Sequence, residues 1–379
     1  MAVHARDRDE PGRQHDRREA PEGAGHRAGR GSAAGLILAL VATPLAADPL
    51  RFATWNAGLS RDGPGLLLRD ILAGEAEVMA VAEVVATVAP DVILLTAFDY
   101  DLDGHALAAF ADRVEAAGVA YPYRFALASN AGMATELDLD GDGRLRTPRD
   151  AQGYGEFAGQ AGMAILSRLP ISAEASRDFS AFLWADMPGA IVPEGMAAEQ
   201  RLSSVGHWDV AVALPDGRPV RLWAWYATPP VFDGPEDRNG RRNHDEAAFW
   251  LRYLEGALPV LPEAGPFVLM GDANLDPLDG DGRAEALSAL LEHPRLTDPL
   301  PRSAGGVAAA ARDGGANAGQ RGDPGLDTVD WPDGPGEPGN LRVDYVLPSA
   351  EWQVVGSGVW WPEDGPVRHR LVWVDVELP

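Results

Sequence analysis

The stretch "PFVLMGDANLDP", residues 266–277, decides how this chain is read. Phe267 to Met270 form an uninterrupted apolar run, the pattern of a strand buried on both faces. The run stops at Gly271, and Asp272 and Asn274 follow at once. A carboxylate and a carboxamide at the end of a core strand either shape a turn or face a ligand. Similar polar residues stand beside other expected strands. Asn56 ends "LRFATWN" (50–56), Asp344 lies inside "LRVDYVLPS" (341–349), and His369 precedes "RLVWVDVEL" (370–378). Taken singly, each has an ordinary structural role; Asn56 could cap a turn and Asp272 could be a turn acid.

Working outward, alternating or continuous apolar runs predict strands over 50–56, 91–101, 121–129 and 162–171. They also predict a hairpin over 207–227 around "PDGR" (215–218). Helical spacing predicts helices over 65–90, 104–118 and 243–258, the last with Asn243 and Asp245 in its first turn as capping residues. A long glycine- and aspartate-rich loop covers 130–160. Strands mixed with a few helices predict an α/β fold: a four-layer α/β/β/α sandwich, two mixed sheets face to face with helices outside.

The chain contains no cysteine, which excludes disulfides, a thiol nucleophile and thiolate metal ligands. It also contains no lysine, so a Schiff-base mechanism is excluded and every basic side chain is an arginine. The formal charge is -25, and the acid excess lies beyond residue 47. Such a body repels polyanions, so duplex DNA is not the expected partner. Residues 1–31 are polar and charged and read as a disordered extension or a mis-assigned start. Residues 32–47 carry a short apolar run, Ala33–Ala42, preceded by arginine and followed by Pro44 and small residues. That is the layout of a signal peptide. It leaves a mature domain over 48–379 with no membrane-spanning segment, in the periplasm or outside the cell.

Six blocks, in order, resemble the endonuclease/exonuclease/phosphatase superfamily. They are "ATWNAG", "APDVILLTA", "GMAILSRLPI", "FVLMGDANLDP", "LRVDYVLPS" and "GPVRHRLVWVDV". The segment "TPPVFDGPEDRNGRRNHDE" (228–246) is similar to an exported bacterial branch. The resemblance implies a Mg²⁺-dependent phosphoester hydrolase acting on a small phosphoester or another phospho-compound. It implies that Asn56 helps place metal or phosphate, that Asp272 activates water, and that Asn274 binds a phosphate oxygen. His369 would contact the phosphoryl group and Asp344 would orient it.

Three positions depart from the family pattern. Ala97 stands where the family has its metal-binding Glu, Tyr226 where a second His is expected, and Arg368 where an Asp precedes the histidine. Asp99, two residues beyond Ala97 on the same strand face, is the substitute metal ligand available. Two readings therefore stand: a hydrolase with an altered, impaired site, and a catalytically inactive relative, a pseudoenzyme retained as a binding or scaffold protein.

Two acidic glycine loops add a calcium expectation. "DLDGDGRL" (138–145) places Asp138, Asp140 and Asp142 as the first half of a Ca²⁺ loop, although Arg149 stands where the closing Glu belongs. "LDPLDGDGR" (275–283) is a second such turn, with Asp276, Asp279 and Asp281. Each also reads, and more simply, as a solvated acidic turn.

Overall fold

The computed structural model describes residues 49–377. The expected extension (1–31) and signal peptide (32–47) lie outside the described residues. The strand β1 (Leu50–Leu59) leads into α1 (Leu66–Ala73) and α2 (Ala76–Val88), and then β2 (Val92–Phe98). The single helix expected over 65–90 is two. Gly74 adopts a left-handed φ of 70°, which ends α1 and redirects the chain.

Next come α3 (His105–Ala116), β3 (Tyr123–Phe125), β4 (Gly162–Ser167) and β5 (Ile171–Asp178). The hairpin of β6 (Gly206–Ala213) and β7 (Pro219–Tyr226) precedes α4 (Arg238–Leu254) and β8 (Phe267–Asp272). Then follow α5 (Glu285–Leu291), α6 (Ala304–Asp313), β9 (Val329–Asp330), β10 (Asn340–Leu341), β11 (Asp344–Pro348), β12 (Gln353–Trp360) and β13 (Leu371–Glu377).

One sheet has the order β12-β13-β1-β2-β4-β3 and the other β11-β8-β7-β6-β5. Both are mixed: β1 runs parallel to β2 and β7 parallel to β8. Alternation assigns the layers. Phe52, Val92, Leu94 and Ile165 of the first sheet meet Leu222, Val268, Met270 and Val346 of the second in one core. The opposite faces, with Ala53, Trp55, Ile93 and Leu95 on one and Trp223, Leu269 and Tyr345 on the other, are covered by helices. The fold is therefore the four-layer sandwich expected.

Helix α4 begins at Arg238, five residues before its expected start, so Asn243 and Asp245 lie inside it and are buried rather than capping. Asp245 accepts the Trp184 indole N–H at 2.6 Å and the Ile191 amide at 2.8 Å. Strand β12 escaped the sequence reading because its glycines break the apolar pattern. At Gly358 a Cβ would come within 2.7 Å of the Trp373 ring, so the strand needs glycine to pass that indole.

Helix α4 also ties together the ends of the site-bearing strands. Glu246 accepts the Ser204 amide at 2.6 Å and hydroxyl at 2.7 Å through one oxygen, and the Thr228 amide at 2.7 Å through the other. Asn243 donates to the carbonyls of Thr228 and Ala273, both at 2.7 Å. These bonds clamp the segment after β7 to the segment after β8. Truncating the buried Glu246 to Ala strands the buried Ser204 amide, removes the acceptor of the half-buried Thr228 amide, and leaves the Ser204 hydroxyl only the distant Tyr226 carbonyl at 3.5 Å. Chemical denaturation should show a loss of roughly 3 kcal/mol or more, by the usual cost of such groups.

Candidate active site

Strand parity and register build the site. On β8 the inward residues are Val268, Met270 and then Asp272; on β7, Leu222, Ala224 and then Tyr226; on β11, Val346 and then Asp344. Tyr226 pairs with Asp272 across β7 and β8, and Asp272 with Asp344 across β8 and β11. The three side chains therefore stand in one row at one end of the second sheet. Asn56 continues the inward face of β1 beyond Phe52 and Thr54, so it reaches this row from the opposite sheet.

The contacts follow. Asn56 Nδ2 donates to Asp272 Oδ2 at 3.0 Å and lies 3.3 Å from the Tyr226 hydroxyl oxygen. The other Asp272 oxygen accepts the Asn274 amide at 2.8 Å. Asn274, left-handed at φ 50°, spends one side-chain hydrogen on the Ala227 carbonyl at 2.8 Å. His369 lies outside regular strand. Its carbonyl accepts the Trp55 indole N–H at 3.0 Å, and its backbone forms a bridge with Val329. Its Nδ1 meets Asp344 Oδ2 at 3.0 Å and lies 3.9 Å from Asp272 Oδ2. With Nδ1 committed to a carboxylate, Nε2 is the nitrogen left to face a ligand. The Trp331 ring stands edge-on to this imidazole at 5.8 Å.

Asp272 and Asp344 are both fully buried, and Asp344 Oδ1 has no hydrogen-bond partner among the described residues. Burial, and then the Asp344 charge beside it, push the Asp272 carboxyl up to about 7. Burial works against a charged His369 ring, but Asp344 and Asp272 outweigh it and hold the imidazole above its ordinary range. The Tyr226 phenol is pushed upward by burial first and then by Asp272, so it stays protonated at physiological pH. Its oxygen accepts from Asn56, while its own proton has no acceptor among the described residues.

Other expected residues fall elsewhere. Asp99, expected as the substitute metal ligand, does not join the Asp272, Asp344 and His369 group. Its two oxygens accept the amides of Ala161 and Arg61, each at 2.9 Å, and it lines a pocket with Tyr100, Leu102 and His105. The cause is a bulge: the register of β1 with β2 shifts after Asn56, and Ala97 takes a left-handed φ of 51°. The residue paired with Asn56 is Thr96. Arg368 is exposed and donates to the Asp330 carbonyl at 3.3 Å.

In the 138–150 loop, carboxylate oxygens of Asp138 and Asp140 converge with one of Asp150, not with Asp142. Asp142 instead accepts the Arg144 amide at 2.7 Å. Tyr226 was legible only as a lost histidine, although its parity with Leu222 and Ala224 already aims it inward. Trp331 carries no sequence signal that would place it beside His369.

Two outcomes follow. In a histidine NMR titration, His369 should have a midpoint above 6.5, and Asp344→Asn should bring it below that value, since burial then dominates. Ala97→Gly should stabilise the fold by about 1 kcal/mol in chemical denaturation, by relief of a left-handed alanine.

The sequence profile described as the Endonuclease/Exonuclease/phosphatase family matches residues 53–373. No curated protein matches the chain. Among solved structures, an endonuclease/exonuclease/phosphatase from Beutenbergia cavernae DSM 12333 superposes with a TM-score of 0.53 at 18% identity, over 88% of this chain and 72% of that one. A family protein from Leptotrichia buccalis C-1013-b gives 0.50 at 14% identity, over 87% and 100%. One from Bacteroides thetaiotaomicron gives 0.50 at 11%, over 88% and 100%. At such identities the structural likeness speaks to the fold, and the profile match, which runs through every strand that carries a site residue, speaks to descent: this chain belongs to the endonuclease/exonuclease/phosphatase family.

Proposed function

We propose that the chain is an exported hydrolase of small phosphoesters whose activity is impaired by the loss of the carboxylate at position 97. The observation that carries this reading is the His369–Asp344 pair beside Asp272, held by Asn56, at the end of the facing sheets. The acidic body supports small substrates over duplex DNA. The arginine-flanked apolar run before Ala47 supports export, and no described helix is long and apolar enough to cross a membrane.

The family is generally metal-dependent, and the donor set suits a divalent cation. Ligand atoms of Asp272, Asp344 and His369 lie within 4.8 Å of one another, and Asp344 Oδ1 is a buried oxygen with no hydrogen-bond partner among the described residues. Asp272 and Asp344 would hold the ion, Mg²⁺ being the family expectation. A cation there would neutralise charge on the phosphoryl oxygens.

The side chains do the rest. Asp272, poised near neutrality, takes a proton from water in its ionised form. His369, charged and oriented through Nδ1 by Asp344, presents Nε2 to the phosphoryl group. The unclaimed Tyr226 proton is a neutral donor for a phosphoryl oxygen where the family has a histidine.

The test is hydrolysis of bis-p-nitrophenyl phosphate by the full chain with Mg²⁺. Low but measurable turnover is expected, falling at least a hundredfold in Asp272→Asn and in His369→Ala. Turnover equal in parent and variants would overturn the reading. The rate should rise with pH as Asp272 ionises, and a cation held by Asp272 should draw that rise below the value of about 7 that burial and Asp344 impose. It should fall again at higher pH as His369 loses its proton. Tyr226→Phe should raise KM several-fold.

A second reading rests on Ala97, a side chain unable to ligate a cation. On it the protein binds phospho-compounds without cleaving them. Phosphate binding by calorimetry, with no turnover in any variant, would favour it.

A further inference from the structure

We propose that Asp327 anchors a calcium site, separate from the candidate active site, between the 276–280 and 321–328 loops. Asp327 is 5% exposed, and its Oδ2 is buried with no hydrogen-bond partner among the described residues. Nothing in the described structure donates to its other oxygen either. A buried carboxylate without a donor is strongly disfavoured unless a proton or a cation accompanies it.

Its surroundings favour the cation. Asp276, itself 5% exposed, Asp279 and Asp323 supply the charges that act on Asp327. Burial and these three acids push its carboxyl up to about 8. The guanidinium groups at hand are engaged with other acids, Arg321 lying 3.7 Å from Asp279, and none pairs with Asp327 among the described residues. Arg342 forks onto Asp298 at 2.6 and 2.8 Å, and Arg302 pairs with Asp323.

The two loops are fastened together. The Thr328 amide donates to the Leu341 carbonyl at 2.8 Å, and the next amide along, that of Arg342, donates to Asp276 Oδ2 at 2.9 Å. Asp279 accepts the amides of Arg321 and Gly322 at 2.8 and 2.7 Å. A carboxylate has about four lone-pair sites, so Asp276 and Asp279 keep acceptor capacity beyond these bonds. The carboxylates do not close on one point as a preformed triad. Asp327 would therefore hold the ion directly, with the neighbouring acids acting through their charge. Oxygen donors, irregular spacing and flexible loops suit Ca²⁺, whereas Mg²⁺ demands a near-ideal octahedron.

The site has a functional lever. Thr328, the next residue, accepts the amides of Val343 and Asp344 on its hydroxyl at 2.9 and 3.0 Å, and its carbonyl accepts the Arg370 amide at 2.7 Å. An ion at Asp327 thus braces the backbone that carries Asp344 and His369.

The experiment is thermal unfolding and calorimetric titration of the full chain with CaCl₂, against EDTA. The parent should melt several degrees higher in millimolar Ca²⁺, since an ion that binds only the folded state stabilises it. Asp327→Asn should abolish that rise and remove one binding event. Asp140→Ala, in the other acidic loop, should keep the rise. Should Asp327→Asn fold poorly, Asp279→Asn carries the test and should weaken calcium binding at least tenfold. No calcium response in the parent would mean that Asp327 is simply protonated, and a full response in both Asp327→Asn and Asp279→Asn would place the ion elsewhere. Either result overturns the proposal.

Discussion

Two carboxylates, Asp272 and Asp344, are buried side by side across β8 and β11. That juxtaposition constrains everything around it. Neither group reaches water, and like charges at close range favour protonation of one of them. The protein answers with an imidazolium from His369, amide donors from Asn56 and Asn274, and Thr328, which fixes the Asp344 backbone. Such an arrangement is costly as a structural device, because apolar residues would fill the same space more stably. On the proposed function it handles protons: a carboxyl near neutrality lies beside an oriented imidazole whose protonated form both acids favour.

The rest of the molecule keeps this cluster in place. Trp55 on β1 holds the His369 carbonyl, and α4 clamps the segments after β7 and β8 through Glu246 and Asn243. The two sheets must face each other in one relative alignment for Asn56 to reach Asp272. A shift of one residue in β1 would turn Asn56 outward and bring Trp55 into the site. The interleaved inner faces of both sheets resist that slip.

The departures from the family pattern act differently once placed. Arg368 is exposed and bonded to a backbone carbonyl, so it does not add a guanidinium to the cluster. Tyr226 is no empty place; it brings a neutral donor into the row beside Asp272. Ala97 offers no ligand atom, and the bulge around it sends Asp99 to backbone amides instead of toward the site. On the proposed function, then, one of the three substitutions would bear on cation binding and one on how the phosphoryl group is contacted.

Local pattern made much of this legible. Continuous apolar runs with polar ends located β2 and β8, alternation located β1 and β13, and the order of blocks around Asn56, Asp272, Asp344 and His369 pointed to one fold. Strand parity follows from the two-residue repeat of an extended chain, so the inward aim of Asn56 and Asp272 was already written in the sequence. What periodicity cannot carry is a break in itself. The bulge at Ala97, the early start of α4 at Arg238 and the glycine-rich β12 each depend on contacts with distant segments. The partnership of Asp150 with Asp138 and Asp140, the edge of Trp331 on His369, and the buried, unpartnered Asp327 are likewise meetings of residues far apart in the chain. Only the tertiary structure decides them, because the energy of a buried charge depends on its neighbours in space, not in sequence.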